Sequence, residues 1–178
     1  NSKMELPLTH LHTNFKINSS GEKIILSNDQ SEVLDSIYIL PLTEDISYGR
    51  ITQGAEWALF DHPTPGSSNT SEPFEGILGK PTFSMPSGFY GDGETINLFI
   101  SSLTPDAEIR YTMDQRIPNP DSELYEEAIQ INATTVIRSG TIADGWIPST
   151  IETKTYIFGN QHQLPSIFLN TDPFNLFD

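Results

Sequence analysis

His10 and His12 stand two residues apart. In an extended segment that spacing puts both imidazoles on one face, as metal binding would require. Zinc needs three or four ligands, and the remaining histidines, His62 and His162, lie far away in sequence. The pair reads as ordinary surface histidines, and no metal is assigned. Asp114 and Asp121 bracket a loop that could offer oxygen ligands to calcium. A calcium loop carries acids at alternate positions around a central glycine, whereas this loop carries Pro118 and Pro120. Glu123, Glu126 and Glu127 are the candidates for the paired carboxylates of glycoside hydrolysis, which must face each other across a cleft. They fall in a polar, solvated stretch instead. There is no Gly-x-Ser-x-Gly nucleophile elbow. Cysteine is absent, which excludes thiolate nucleophiles, Cys-ligated zinc and disulfides. No catalytic residue and no cofactor are assigned. Aromatic residues offer a different chemistry, because a flat apolar ring can stack on the C–H side of a pyranose. Trp146, just after the turn Asp144-Gly145, and Tyr90 are the candidate ligand-binding residues, with carbohydrate as the ligand class. For Trp146 and for Trp57 the plainer reading is a ring that caps the end of its own core. Asn18, Asn69 and Asn132 fit the Asn-x-Ser/Thr glycosylation pattern, which is common by chance.

Strands must position these residues, since no stretch of ten residues in the first part of the chain has a helical period. Residues 12–17 and 22–28 read as strands joined by Asn18-Ser19-Ser20-Gly21. Ile24 and Leu26 share one face because strand side chains alternate. Residues 33–39 make a third strand, and shorter ones follow near 47–52 and 57–60. Between residues 61 and 80 the periodicity is lost and Pro, Gly, Ser, Asn and Thr dominate, as expected of a semi-extended linker. Strands resume at 81–90 and 94–101, with Gly91-Asp92-Gly93 as a hairpin turn between them. Ile96, Leu98 and Ile100 point one way. In 108–113, Ile109, Tyr111 and Met113 point inward. A proline-bearing loop spans 114–122, residues 123–130 form a short strand or one helical turn, and strands at 134–142 and 150–158 complete the set. Short strands with turn signals every few residues specify a β-sandwich.

Composition bounds the partners. The 178 residues carry a net charge of −15. That opposes nucleic-acid binding, which needs a basic face, and docking on anionic membranes. No apolar run approaches the ~18–20 residues of a spanning helix.

Three stretches resemble known families. The first runs Leu11-His12-Thr13-Asn14-Phe15-Lys16, Ser20-Gly21-Glu22 and Val33-Leu34-Asp35-Ser36. It continues through Asp45-Ile46-Ser47-Tyr48-Gly49-Arg50 to Pro63-Thr64-Pro65-Gly66 and Asn69. It resembles the C-terminal half of a bacterial lamin-tail domain, an immunoglobulin-like sandwich. The second runs Pro81-Thr82-Phe83-Ser84, Ser87-Gly88-Phe89-Tyr90 and Ile109-Arg110-Tyr111-Thr112, with Asp114, Pro118, Ser122 and Tyr125. It ends with Thr134-Thr135-Val136-Ile137-Arg138, Asp144-Gly145 and Ser149. It is similar to the chitobiase/hexosaminidase C-terminal accessory domain, a small β-sandwich distinct from the catalytic barrel. That family has Gly where Gln115 stands, so the loop is expected to take a different path, because a non-glycine residue tolerates left-handed φ poorly. The third, Leu164-Pro165-Ser166-Ile167-Phe168-Leu169 with Thr171-Asp172-Pro173-Phe174-Asn175-Leu176-Phe177-Asp178, looks like the opening of the CotH-type spore-coat kinase family. None of that family's kinase residues falls in this chain.

The expected fold is all-β, with two tandem immunoglobulin-like β-sandwich modules, the first incomplete. The divisions are 1–70 (lamin-tail-like), 71–79 (linker), 80–159 (chitobiase C-terminal-like) and 160–178 (the start of a CotH-like domain, or a tail). The resemblances imply a non-catalytic, secreted or cell-surface bacterial accessory region. It would space, position or anchor a following domain, bind carbohydrate, or serve as the targeting arm of a CotH-type kinase. Expected partners are the downstream domain of the same chain and, at the incomplete first module, a second copy or a separate upstream half.

Overall fold

A computed structural model describes residues 15–51, 56–159, 167 and 169–175. Its regular structure is almost entirely β, and it divides into two compact units between Glu72 and Pro73.

In the first unit, β1 (Glu22–Ser27) and β2 (Val33–Ile39) form an antiparallel hairpin. The Asn28 carboxamide shapes its turn by accepting from the amides of Gln30 (3.0 Å) and Glu32 (2.9 Å). Strands β3 (Ser47–Arg50) and β4 (Trp57–Phe60) pair separately. Ala58, Leu59 and Phe60 are buried. The strand expected over 12–17 lies partly outside the described residues, and 15–17 are irregular. The alternation in the hairpin is as expected, with Ile24 opposite Ile37, but burial is not. Ile25, Leu26 and Leu34 remain 53%, 60% and 63% exposed. Alternation fixes which residues share a face. Whether another layer covers that face is decided elsewhere in the chain.

Residues of the first unit that are distant in sequence converge into one structural cluster. Arg50 pairs with Asp35 at 2.7 Å, its guanidinium lies 5.1 Å from the Trp57 ring centre, and that ring meets Tyr48 at 5.4 Å. The Asn69 amide donates to the Arg50 carbonyl (2.8 Å), and Thr64 Oγ1 donates to Asn69 Oδ1 (2.9 Å). A Cβ at position 49 would lie 2.6 Å from Asn69 Nδ2, so a larger residue there would have to displace the Asn69 side chain from its hydrogen bonds.

The second unit is a sandwich of one sheet and two facing ladders. In chain order it contains β5 (Thr82–Phe83), β6 (Gly88–Tyr90), β7 (Ile96–Leu98), β8 (Ile100–Ser101) and β9 (Glu108–Thr112). These are followed by β10 (Glu123–Leu124), β11 (Ile129–Ile131), β12 (Thr135–Ile142) and β13 (Glu152–Phe158). One sheet has the order β10-β9-β12-β13-β6. Facing it are the ladders β11-β7 and β5-β8, which Phe99 joins through the chain. Ile96, Leu98, Ile100 and Ile131 from these ladders meet Tyr111, Ile137 and Tyr156 from the larger sheet. Leu98, Ile137 and Tyr156 are fully buried. Three buried hydroxyls bond to backbone: Tyr156 Oη donates to the Met85 carbonyl (3.1 Å), Ser139 Oγ to the Arg110 carbonyl (3.0 Å) and Thr141 Oγ1 to the Gly79 carbonyl (2.9 Å), while the buried Nε of Arg138 has no partner.

Several expectations need correction. The Gly91-Asp92-Gly93 turn exists, with Gly93 at φ 74°, but it closes no hairpin. β6 pairs in parallel with β13 while β7 pairs with β11, so the turn carries the chain between sheets. The expected strand 81–90 is split, because Pro86 offers no amide donor to a ladder. Met113 is exposed, since β9 ends at Thr112. Residues 75–78, expected in the linker, belong to the second sandwich. Ile147 N–H donates to the Gly76 carbonyl and Leu78 N–H to the Ile147 carbonyl, both at 2.9 Å, and Leu78 is buried. The polar composition around them masked the short apolar pair Ile77-Leu78. Of the terminal stretch 160–178, only 167 and 169–175 are described. Asn170 donates to Thr155 Oγ1 (2.8 Å), and Asp172 Oδ2 accepts from the Ile117 amide (3.2 Å).

Gln115 also departs from expectation. It adopts φ 69°, so the loop keeps the left-handed turn without glycine. Three hydrogen bonds hold it there. Asp114 Oδ1 accepts from the Arg116 amide, Thr112 Oγ1 donates to the Arg116 carbonyl, and Arg138 Nη1 donates to the Gln115 carbonyl. Such strain persists where surrounding contacts over-determine it. Gln115→Gly is expected to leave stability within about 1 kcal/mol of the parent or raise it. Gln115→Val should lower it by about 1–2 kcal/mol, and urea titration of both variants checks the pair.

Stability should fall at both pH extremes. Burial, then the hydrogen bond to Glu123, pushes the Tyr111 phenol up to about 12, and burial raises Tyr156 further. A raised phenol stabilises the fold below its unfolded value near 10, and that contribution is lost as pH rises towards the folded value. Hydrogen bonds from Lys154 and then Lys80 lower the Glu152 carboxyl. Its contribution is present above the ordinary carboxylate range and is lost as pH falls through and below that range. Thermal melts against pH should show a neutral plateau with losses on each side. Removing Tyr111 as Tyr111→Phe should reduce the alkaline loss.

Candidate functional site

The register of β9 on β12 builds a recess of the second unit that contains Trp146. Glu108 pairs with Ile142, so the turn entering β9 lies beside the turn leaving β12. The first is Thr104-Pro105-Asp106-Ala107, with Asp106 at φ 61°. The second is Ala143-Asp144-Gly145-Trp146, closed by a bond from the Trp146 amide to the Ala143 carbonyl (3.2 Å). Gly145 supplies φ 74° at its third position. Together they line a cleft of about 540 Å³ with Asp106, Glu108, Asp144 and Trp146 on its walls. The indole is seated on Gly76, where a Cβ would come within 2.5 Å of Cζ3 and 3.0 Å of Cε3. Trp146 thus packs its six-membered ring on Gly76 and also lines the cleft.

The polar groups of this cleft differ in their commitments. Glu108 is engaged by Arg110, whose Nε lies at 3.0 Å and Nη2 at 2.5 Å. Among the described residues the side chains of Asp106 and Asp144 and the Trp146 indole N–H have no hydrogen-bond or ion-pair partner. A smaller apolar recess of about 180 Å³ adjoins, sharing Pro120 and Ile142 with the cleft and walled further by Pro118, Pro148 and Ile151. The arrangement offers a flat aromatic surface, one free N–H donor and carboxylate acceptors.

Tyr90 does not join this cleft. Its ring lies 5.8 Å from Tyr156 and 5.6 Å from Phe158, and its hydroxyl donates to the Pro86 carbonyl (2.8 Å). Burial, then Glu94, raises its phenol. As a core-margin residue with its polar tip already bonded, it presents no free platform. Trp57 is occupied by Tyr48 and Arg50 in the first unit.

The other sequence candidates are scattered. Glu123 is tied to Tyr111, and Glu126 and Glu127 lie exposed between β10 and β11. Asp114 is spent on Arg116. His62 bonds Asp61 at 2.7 Å, while His10, His12 and His162 lie outside the described residues. No cluster of three or more His, Cys, Asp or Glu that could hold a metal occurs among the described residues. The Asn69 amide is built into the Gly49–Arg50 contact. Sequence reasoning singled out Trp146 but missed Asp106 and Asp144. The turn Asp144-Gly145 was legible, but its adjacency to residues 104–107 depends on strand pairing.

Residues 85–155 match the family profile described as the chitobiase/beta-hexosaminidase C-terminal domain, covering less than half of the chain. This is an immunoglobulin-like, non-catalytic type of domain, often associated with carbohydrate. Neither the curated proteins nor the solved structures give a match. The matched segment contains every residue named on the cleft walls, while Gly76 lies before it. Among the described residues, no helix is long and apolar enough to cross a membrane.

Gly76→Ala is expected to displace the Trp146 indole and cost about 1–3 kcal/mol through overpacking. Gly88→Ala, where a Cβ meets open space, should change stability by less than about 0.5 kcal/mol. Calorimetry of the two variants, with near-ultraviolet circular dichroism reporting the indole environment, checks both.

Proposed function

We propose that this chain is a non-catalytic accessory region of a secreted or cell-surface bacterial protein, which spaces, positions or anchors a following domain. The carrying observation is the accessory-domain match over residues 85–155. Consistent with it, the second unit directs the buried polar groups of Tyr156, Ser139 and Thr141 at its own backbone. For the first unit, a lamin-tail-like identity is supported by the convergence of Asp35, Gly49, Arg50, Thr64 and Asn69. Its exposed hairpin residues suit completion by a second copy or a separate upstream half. The resemblance at residues 164–178 supports the narrower reading, a targeting arm for a CotH-type kinase in the parent protein.

A second reading, carbohydrate binding by the second unit, is favoured by the cleft that combines Trp146 with Asp106 and Asp144. The two readings are compatible, since an anchor needs something to hold.

Incubation of the purified chain with chitin oligosaccharides and with ATP should give no hydrolysis or phosphotransfer. Hydrolysis that survives purification and disappears in Glu126→Gln or Glu127→Gln would overturn the non-catalytic reading. Retention on a glycan surface, lost in Trp146→Ala but kept in Tyr90→Phe, would support the binding role.

A further inference from the structure

Charge gives the Trp146 cleft a selectivity beyond a general affinity for sugars. We infer that it takes amino sugars bearing a free ammonium in preference to N-acetylated sugars, and rejects acidic ones. This rests on the carbohydrate reading of the same cleft and concerns which sugars enter it.

Three observations converge. First, the Trp146 indole lines a cleft of about 540 Å³ and has no partner for its N–H, so this donor is free for a ligand. Second, two carboxylates on the same walls, Asp106 and Asp144, are uncommitted, while Arg110 already satisfies Glu108. The cation beside Glu108 is therefore used up. Third, the adjoining recess of about 180 Å³ is walled mainly by Pro118, Pro120, Ile142, Pro148 and Ile151, so it supplies little polar competition. The chain as a whole carries a charge of −15.

A carboxylate only accepts hydrogen bonds. An incoming ligand must therefore supply donors on the side of Asp106 and Asp144. A neutral hydroxyl supplies one donor, whereas an ammonium supplies three, and its hydrogen bonds are charge-assisted. A cation near the indole face gains a further electrostatic attraction. The C–H side of the pyranose can rest on the same ring, so a single pose uses both properties of Trp146. A uronate or sulfated sugar would instead place its negative charge against two bare carboxylates, which disfavours binding.

The test is calorimetric titration of the full chain with four probes. These are a β-linked glucosamine oligomer at mildly acidic pH, the same oligomer fully N-acetylated, a galacturonate oligomer and a lysine oligopeptide. The glucosamine oligomer should bind about tenfold more tightly than the acetylated one, as expected of a charge-assisted bond over a neutral one. The galacturonate oligomer should not bind. The preference should shrink in high salt and in Asp106→Asn and Asp144→Asn, while Trp146→Ala removes sugar binding and Trp146→Phe retains part of it. Equal affinity for the two glucosamine-based oligomers, unchanged in the Asn variants, would overturn the charge inference and leave the carbohydrate reading standing. Failure of every oligosaccharide to bind the folded chain would overturn both. A lysine peptide that binds as tightly as the glucosamine oligomer would overturn the amino-sugar assignment, showing a cation site with no preference for a sugar ring.

Discussion

The antiparallel register between β9 and β12 is the constraint on which the second sandwich depends. Opposing Tyr111 to Ser139 sends the Tyr111 ring and its neighbours on that face into the core, and opposing Glu108 to Ile142 aligns the strand ends. A slip of one residue would turn every side chain of β9 to the other face. Ile109 and Tyr111 would leave the core, while Arg110 and Glu108 would enter it. The same slip would separate the turn bearing Asp106 from the turn bearing Trp146. One set of backbone hydrogen bonds thus closes the core and assembles the cleft.

The arrangement around β12 extends this dependence to segments distant in sequence. Thr141 is fully buried and donates its hydroxyl to the Gly79 carbonyl, while its amide donates to Ser149 Oγ (2.9 Å). An unpaired buried hydroxyl or amide is costly, so these bonds draw residue 79 and the approach to β13 onto the sheet. Residues 75–78 then lie along residues 145–147, and Gly76 provides the only surface close enough to seat the Trp146 ring among the described glycines. The position of the Trp146 ring is therefore coupled to a segment outside the matched family region.

The first unit is organised around one cation. Arg50 joins Asp35 of the hairpin to Trp57 of the neighbouring ladder, and its carbonyl receives the Asn69 amide. The ion pair is partly solvated, so its electrostatic worth is small. Its structural value is geometric, because one planar side chain contacts a carboxylate and an aromatic face together. Tyr48, Gly49, Arg50, Thr64 and Asn69 thus stand together in one cluster of structural contacts.

Sequence alone determined the features that local rules govern. Period-two alternation marked Ile96, Leu98 and Ile100 as core, and all three are buried. Turn chemistry located Asn18-Ser19-Ser20-Gly21, Gly91-Asp92-Gly93 and Asp144-Gly145, because backbone preferences belong to single residues and their immediate neighbours. Composition excluded thiol chemistry and disfavoured nucleic-acid partners, and the spaced motifs gave the accessory-domain resemblance that the match over residues 85–155 supports. Tertiary structure decided everything that depends on which strand lies beside which. It sent β6 to β13 rather than to β7, placed residues 75–78 in the second sandwich, held Gln115 in a glycine-like turn and turned Tyr90 into the core margin. It also brought Asp106 to the same cleft as Trp146, some forty residues further along the chain. Alternation and turn signals carry no record of pairing partners, because a strand's pattern specifies its buried face but not the neighbour at its edge.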